Sequence, residues 1–153
     1  MNRLALFLFA VLLSFPAFAL QMEKTRPELC SVAHHVVIGE VTDLETRWTS
    51  EPGGGIERVV HVSVSDSILG EPADSLEITL PGGEIDGLGH WVEDVPKLMV
   101  NGRYLLFLAT AMDGSLQVIG GDAGAVRITP EGAKIGETLE QARASVEVCR
   151  AKP

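Results

Sequence analysis

The chain has 153 residues, with 12 lysines and arginines against 21 aspartates and glutamates, a formal net charge of −9. A chain this acidic is repelled by phosphate backbones and by anionic lipid surfaces, which argues against nucleic acid and the membrane surface as partners. Its charges are scattered rather than blocked, the pattern of an ordinary solvated surface.

The first segment carries an address. Asn2 and Arg3 are followed by an unbroken apolar run from Leu4 to Leu13, a break at Ser14-Phe15-Pro16, and Ala17-Phe18-Ala19. That is the order of a secretory signal peptide over residues 1–19, with cleavage after Ala19. The alternative is an uncleaved anchor, but the run is too short to cross a hydrocarbon core of roughly 30 Å. No later apolar stretch is long enough to span, so no membrane span is expected after cleavage. Pro27-Glu28-Leu29 before Cys30 is no lipobox, so lipid anchoring is not expected. The expected location is extracytoplasmic, either periplasmic or fully secreted, and residues 20–153 have the size of one domain.

Both cysteines, Cys30 and Cys149, lie in this mature part, one near each end. In an exported chain an isolated pair predicts a disulfide, with two free thiols as the alternative. Neither has CxxC or zinc-site spacing.

Along the chain, Thr25-Arg26-Pro27-Glu28 is a capping box with proline in the first turn, predicting a short helix over 25–33. From His34 the composition turns to strand, running on to Trp48, with Gly39 permitting a bulge or bend. Residues 50–55 form a turn. Val60, Val62 and Val64 then alternate with Val59, His61, Ser63 and Ser65, a half-buried strand with the second set on the polar face. Leu76 to Leu80 alternates again and is expected to pair antiparallel with it. Residues 82–98 lack periodicity and predict a long irregular loop with room for one helical turn. Residues 103–109 are apolar on both faces, as in a strand buried on both sides. Short strands follow at 116–119 and 125–128. Thr138-Leu139-Glu140-Gln141 is a second capping box. It opens a helix that puts Leu139, Ala142, Val146 and Cys149 on one face.

Strands and helices do not alternate, which excludes a parallel α/β sheet. The expected fold is mainly β: a small antiparallel OB-like barrel of five to six strands, with a short N-terminal helix and a C-terminal helix.

An ordered set of blocks carries a resemblance: residues 33–41, Ile68-Leu69-Gly70, Pro81-Gly82-Gly83, Val95-Pro96, residues 102–108 and Val118-Ile119-Gly120-Gly121. Together they resemble a loose group of secreted bacterial proteins whose barrel is similar to the netrin-like and TIMP-like OB domains. The resemblance implies the barrel and, at most, a protease-inhibitor-like activity. Those inhibitors chelate the protease metal through a cysteine at the mature N-terminus. Here the expected mature start is Leu20, and Cys30 falls inside the expected helix.

No catalytic constellation stands out. His34 and His35 are neighbours on a strand and face opposite ways, so they do not share a metal. His61 lies beside Ser63, but no third orienting group and no nucleophile elbow accompany them. Gly120-Gly121-Asp122 precedes a strand, not a helix, and so is turn chemistry rather than a phosphate loop. The candidate binding residues are those of the 82–98 loop: Glu84, Asp86, His90, Trp91, Glu93 and Asp94. Trp91 either plugs the barrel end or anchors a partner. The carboxylates and His90 could gather round a hard cation, although their spacing is not that of an EF-hand. The expectation is therefore a non-enzymatic binding or accessory module with no bound cofactor or metal. Its expected partner is another extracytoplasmic protein or surface component. The alternatives are a small metal-dependent hydrolase or metal-binding protein using His90, and a protease-inhibitor-like domain.

Overall fold

A computed structural model of the chain describes residues 24–50 and 54–151. The expected signal peptide lies outside the described residues. The elements are α1 (Arg26–Val32), β1 (His35–Trp48), β2 (Ile56–Leu69), β3 (Ser75–Pro81), β4 (Gly83–Ile85), β5 (Leu88–His90), β6 (Arg103–Thr110), β7 (Leu116–Val118), a 3-10 turn (Gly121–Gly124), β8 (Ala125–Arg127), α2 (Leu139–Ser145) and α3 (Glu147–Arg150). No helix among the described residues is long and apolar enough to cross a membrane.

The sheet closes on itself in the order β1-β2-β3-β7-β6-β1, the expected OB-like barrel. Its pairings are antiparallel except β3–β7, a single parallel step at Ile78 and Leu116. Closure depends on β1. Its first half, His35 to Glu40, is paired with β6 on one side, and from Val36 onward with β2 on the other. Its second half pairs with β2 alone. The ladder slips between Ile38 and Gly39. A β-carbon on Gly39 would sit 2.5 Å from Val62 Cγ1 and 2.8 Å from the Ser63 carbonyl oxygen, so only glycine lets the two long strands approach there. β7 and β8 occupy successive stretches of the free edge of β6, separated by the 3-10 turn.

Alternate residues of β1 and β6 feed two cores. Val37, Val41, Tyr104, Leu106 and Leu108 join Val60, Val62, Ile78 and Leu80 inside the barrel. Val36, Ile38, Leu105 and Phe107 form the second core with Leu29, Ala142, Val146 and both cysteines, under the helices. The doubly apolar composition of residues 103–109 follows from serving both cores.

The two capping boxes hold. The Glu28 carboxylate accepts from the Thr25 amide and hydroxyl, which keeps its pKa below the usual value. Thr138 Oγ1 accepts from the Gln141 amide, and Gln141 Oε1 accepts from the Thr138 amide. Cys30 and Cys149 are bonded, with Cα atoms 5.1 Å apart, and join α1 to α3.

Three expectations need correction. The C-terminal helix is two helices, broken at Val146 with φ −112° and ψ 8°. Ser145 donates its hydroxyl to the Ala142 carbonyl, a back-bond that competes with helix continuation, and the Val146 amide turns to Arg143 at i−3. Arg143 and Arg150, one on each piece, both reach Asp66 on β2. Val59, placed on the polar face of β2, is only 2% exposed. It lies between Glu45 and Thr79 across the ladder, and cross-strand neighbours at this spacing shield each other.

The third correction matters for function. Much of the 82–98 segment is not irregular, because β4 and β5 form a hairpin with Gly83 opposite His90 and Ile85 opposite Leu88. Asp86 (φ 52°) and Gly87 (φ 78°) make its two-residue turn, and positive φ at both positions is the geometry that hairpin twist favours. A β-carbon on Gly87 meets nothing within 4 Å, so Gly87→Ala acts through the backbone alone. The substitution is expected to cost the hairpin about 1–2 kcal/mol. Amide hydrogen exchange should show faster opening over 83–90, with the melting temperature little changed.

Candidate functional site

The hairpin folds back over one end of the barrel. The Gly82 amide donates to the Ile56 carbonyl at 2.7 Å, and Gly83 packs against Thr46, Ile56 and the stem of Arg58. The His90 ring lies against Gly55, where a β-carbon would come within 2.4 Å of Nδ1, and that nitrogen faces the Ile56 amide at 3.4 Å. The structure thus places His90 as the hairpin's contact with the start of β2.

Between hairpin and barrel is a cleft of about 230 Å³, lined in part by Arg58, Pro81, Glu84, Trp91, Val95 and Lys97. Trp91 stands at its rim, 89% exposed, with Leu88 and Val92 also exposed on the same segment. Exposed apolar and aromatic side chains at a cleft release water favourably when a ligand covers them.

Of the expected site residues, Glu84, His90 and Trp91 line this cleft, whereas Asp86 forms the hairpin turn. Glu93 and Asp94 are exposed beyond it, and the Asp94 backbone lies against Gly121.

Sequence reasoning missed Arg58 and Lys97. The signal for Arg58 was present: it shares the parity of Val60 and Val62, a cation on the apolar side of an alternating strand. Its Nε is buried without a hydrogen-bond partner. Among the described residues its guanidinium forms no ion pair. Burial pushes its pKa down.

The acidic loop does not gather round His90. Among the described residues, the group of three whose ligand atoms lie within 4.8 Å of one another is Asp43, Glu45 and His61, on the outer face of the barrel. Asp43 and Glu45 are two apart on β1 and share a face, and a slip of the ladder between Val41 and Asp43 sets Asp43 opposite His61. Glu77 on β3 flanks His61 from the other side.

His34 and His35 separate as expected into one exposed and one half-buried ring. His34 Nδ1 accepts from the Thr110 amide at 2.9 Å. A depression of about 960 Å³ lies between the 129–136 segment and α2. It is shallow, and no aromatic side chain lines it. No family model and no curated protein matches the chain.

Proposed function

We propose that this chain is an exported, non-enzymatic binding module that holds a partner in the cleft between the 83–90 hairpin and the barrel end. Trp91 carries the reading. An indole left almost wholly in water, beside a preformed cleft, is poorly explained by stability and well explained as an anchor. Export rests on the signal-peptide pattern of residues 1–19, and the Cys30–Cys149 bond and the TIMP-like or netrin-like resemblance are compatible with it. The partner would be another extracytoplasmic protein or a surface component. Inhibition of a metalloprotease through Cys30 has less support, since its amide lies within α1 and its sulfur is bonded to Cys149.

The test is capture from an extracytoplasmic extract with two baits, the intact oxidised domain and Trp91→Ala. Trp91 adds nothing to either core, so the variant should keep its melting temperature and lose the partner. Equal capture by both baits would place binding elsewhere.

A second reading is carried by the Asp43–Glu45–His61 group: a divalent-cation site of nitrogen and oxygen donors, in place of one built on His90. Three carboxylates surround this imidazole, and no lysine or arginine lies within ion-pair distance of Asp43 or Glu45 among the described residues. Added zinc should raise the melting temperature of the wild type and leave that of His61→Ala unmoved. An equal shift in His90→Ala and wild type would separate the two sites, and no shift in the wild type would end the metal reading.

A further inference from the structure

We infer that the cleft selects a free C-terminal carboxylate on a polypeptide ending in an apolar residue, the carboxylate on Arg58 and the apolar side chain against Trp91 and Val95. The inference rests on the cleft being the ligand site.

Four titratable groups face the cleft: Arg58, Lys97, Glu84 and His90. Two of them, Arg58 and Lys97, are basic side chains, in a chain of net charge −9. Neither forms an ion pair among the described residues, although Glu84 lines the same cleft. A half-buried guanidinium whose Nε lacks an acceptor is unfavourable, and a carboxylate that docks on the group offsets that penalty. Arginine's planar fork matches a carboxylate better than any neutral acceptor.

Size narrows the ligand further. A volume of about 230 Å³ is below the range of drug-sized pockets and admits one apolar side chain with its terminal carboxylate. Val92, exposed at the mouth of the cleft, offers apolar surface to the residues that precede the terminus. Recognition of a C-terminal carboxylate is an established mode of peptide binding, and it costs little ordering when the groove is preformed.

Three probes test this: acetyl-Ala-Leu with a free carboxylate, its C-terminal amide, and 4-methylpentanoate. The readouts are the Trp91 indole N–H and the Arg58 Nε–H resonances of the oxidised protein. The free-acid peptide should shift both, with the amide and 4-methylpentanoate each at least tenfold weaker. Arg58→Met should remove most of the preference for acid over amide without lowering the melting temperature, because a half-buried guanidinium whose Nε lacks an acceptor is replaced by an apolar chain of similar length. Lys97→Gln, at an exposed rim position, should weaken the acid and leave the amide unchanged. Equal binding of amide and acid would overturn charge selection while leaving the cleft as ligand site. Equal binding of 4-methylpentanoate and peptide would overturn the assignment to a chain terminus. Silence of both resonances with every probe would overturn the inference, whereas failure of the Trp91-dependent capture would overturn the binding module itself.

Discussion

Phe107→Ala is expected to lower the stability of the domain by about 3–5 kcal/mol, a large share of the roughly 5–15 kcal/mol that holds a domain of this size folded. Phe107 is the largest of the fully buried side chains and lies at the centre of β6. It fills the core under the helices with Leu29, Val36, Ile38, Val146 and the disulfide. Arg26 of α1 lies over its ring, 5.6 Å from the centroid, and also pairs with Glu137 just before α2. Truncation therefore opens a cavity and removes the surface on which α1 and the chain leading into α2 meet. Phe107→Leu keeps most of the volume and should cost clearly less. Chemical denaturation of the three proteins measures the ladder. A loss below about 1 kcal/mol for the alanine variant would mean that the helices do not pack on β6 as described.

Reducing the Cys30–Cys149 bond, or replacing both cysteines by alanine, should cost about 2–5 kcal/mol. The bridge spans 119 residues, so the unfolded chain is held as one long closed loop. It also joins two helices of seven and four residues, lengths at which isolated helices do not persist in water. Reduction should therefore loosen α1 and α3 before the barrel, whose strands are closed by their own ladders. Calorimetry with and without reductant gives the size of the effect, and hydrogen exchange gives its order. An unchanged melting temperature would show that packing of Leu29, Ala142 and Val146 suffices without the bond.

The parts of the fold legible in the sequence are those set by local periodicity or local chemistry. Two threonine capping boxes, the doubly apolar stretch of β6 and the alternation of β2 each report on their own segment. The hairpin was legible too, since Asp86-Gly87 between Ile85 and Leu88 is a two-residue turn signal. It was outweighed because strands of three residues are too short to show a period. The break at Val146 was hidden because Ala142, Val146 and Cys149 keep the spacing of one helical face even across the interruption. The cleft was half legible. Trp91 and His90 stood out by residue type, whereas Arg58 joins them only because the hairpin folds back over the start of β2, a long-range contact that no local pattern encodes. The Asp43–Glu45–His61 group was illegible for a sharper reason. It depends on which residue of β1 stands opposite His61, and a one-residue slip near Thr42 decides that.

The most direct test of the binding-module account is hydroxyl-radical footprinting of the oxidised protein, alone and with the extracytoplasmic fraction. Trp91, Val92 and Leu88 should be modified readily in the free protein and protected by the partner, with Trp48, the other partly exposed tryptophan, as the internal control. Protection confined to Trp91 and its neighbours is the predicted result. Protection at Trp48 or around the depression beside α2, with Trp91 still fully reactive, would contradict it.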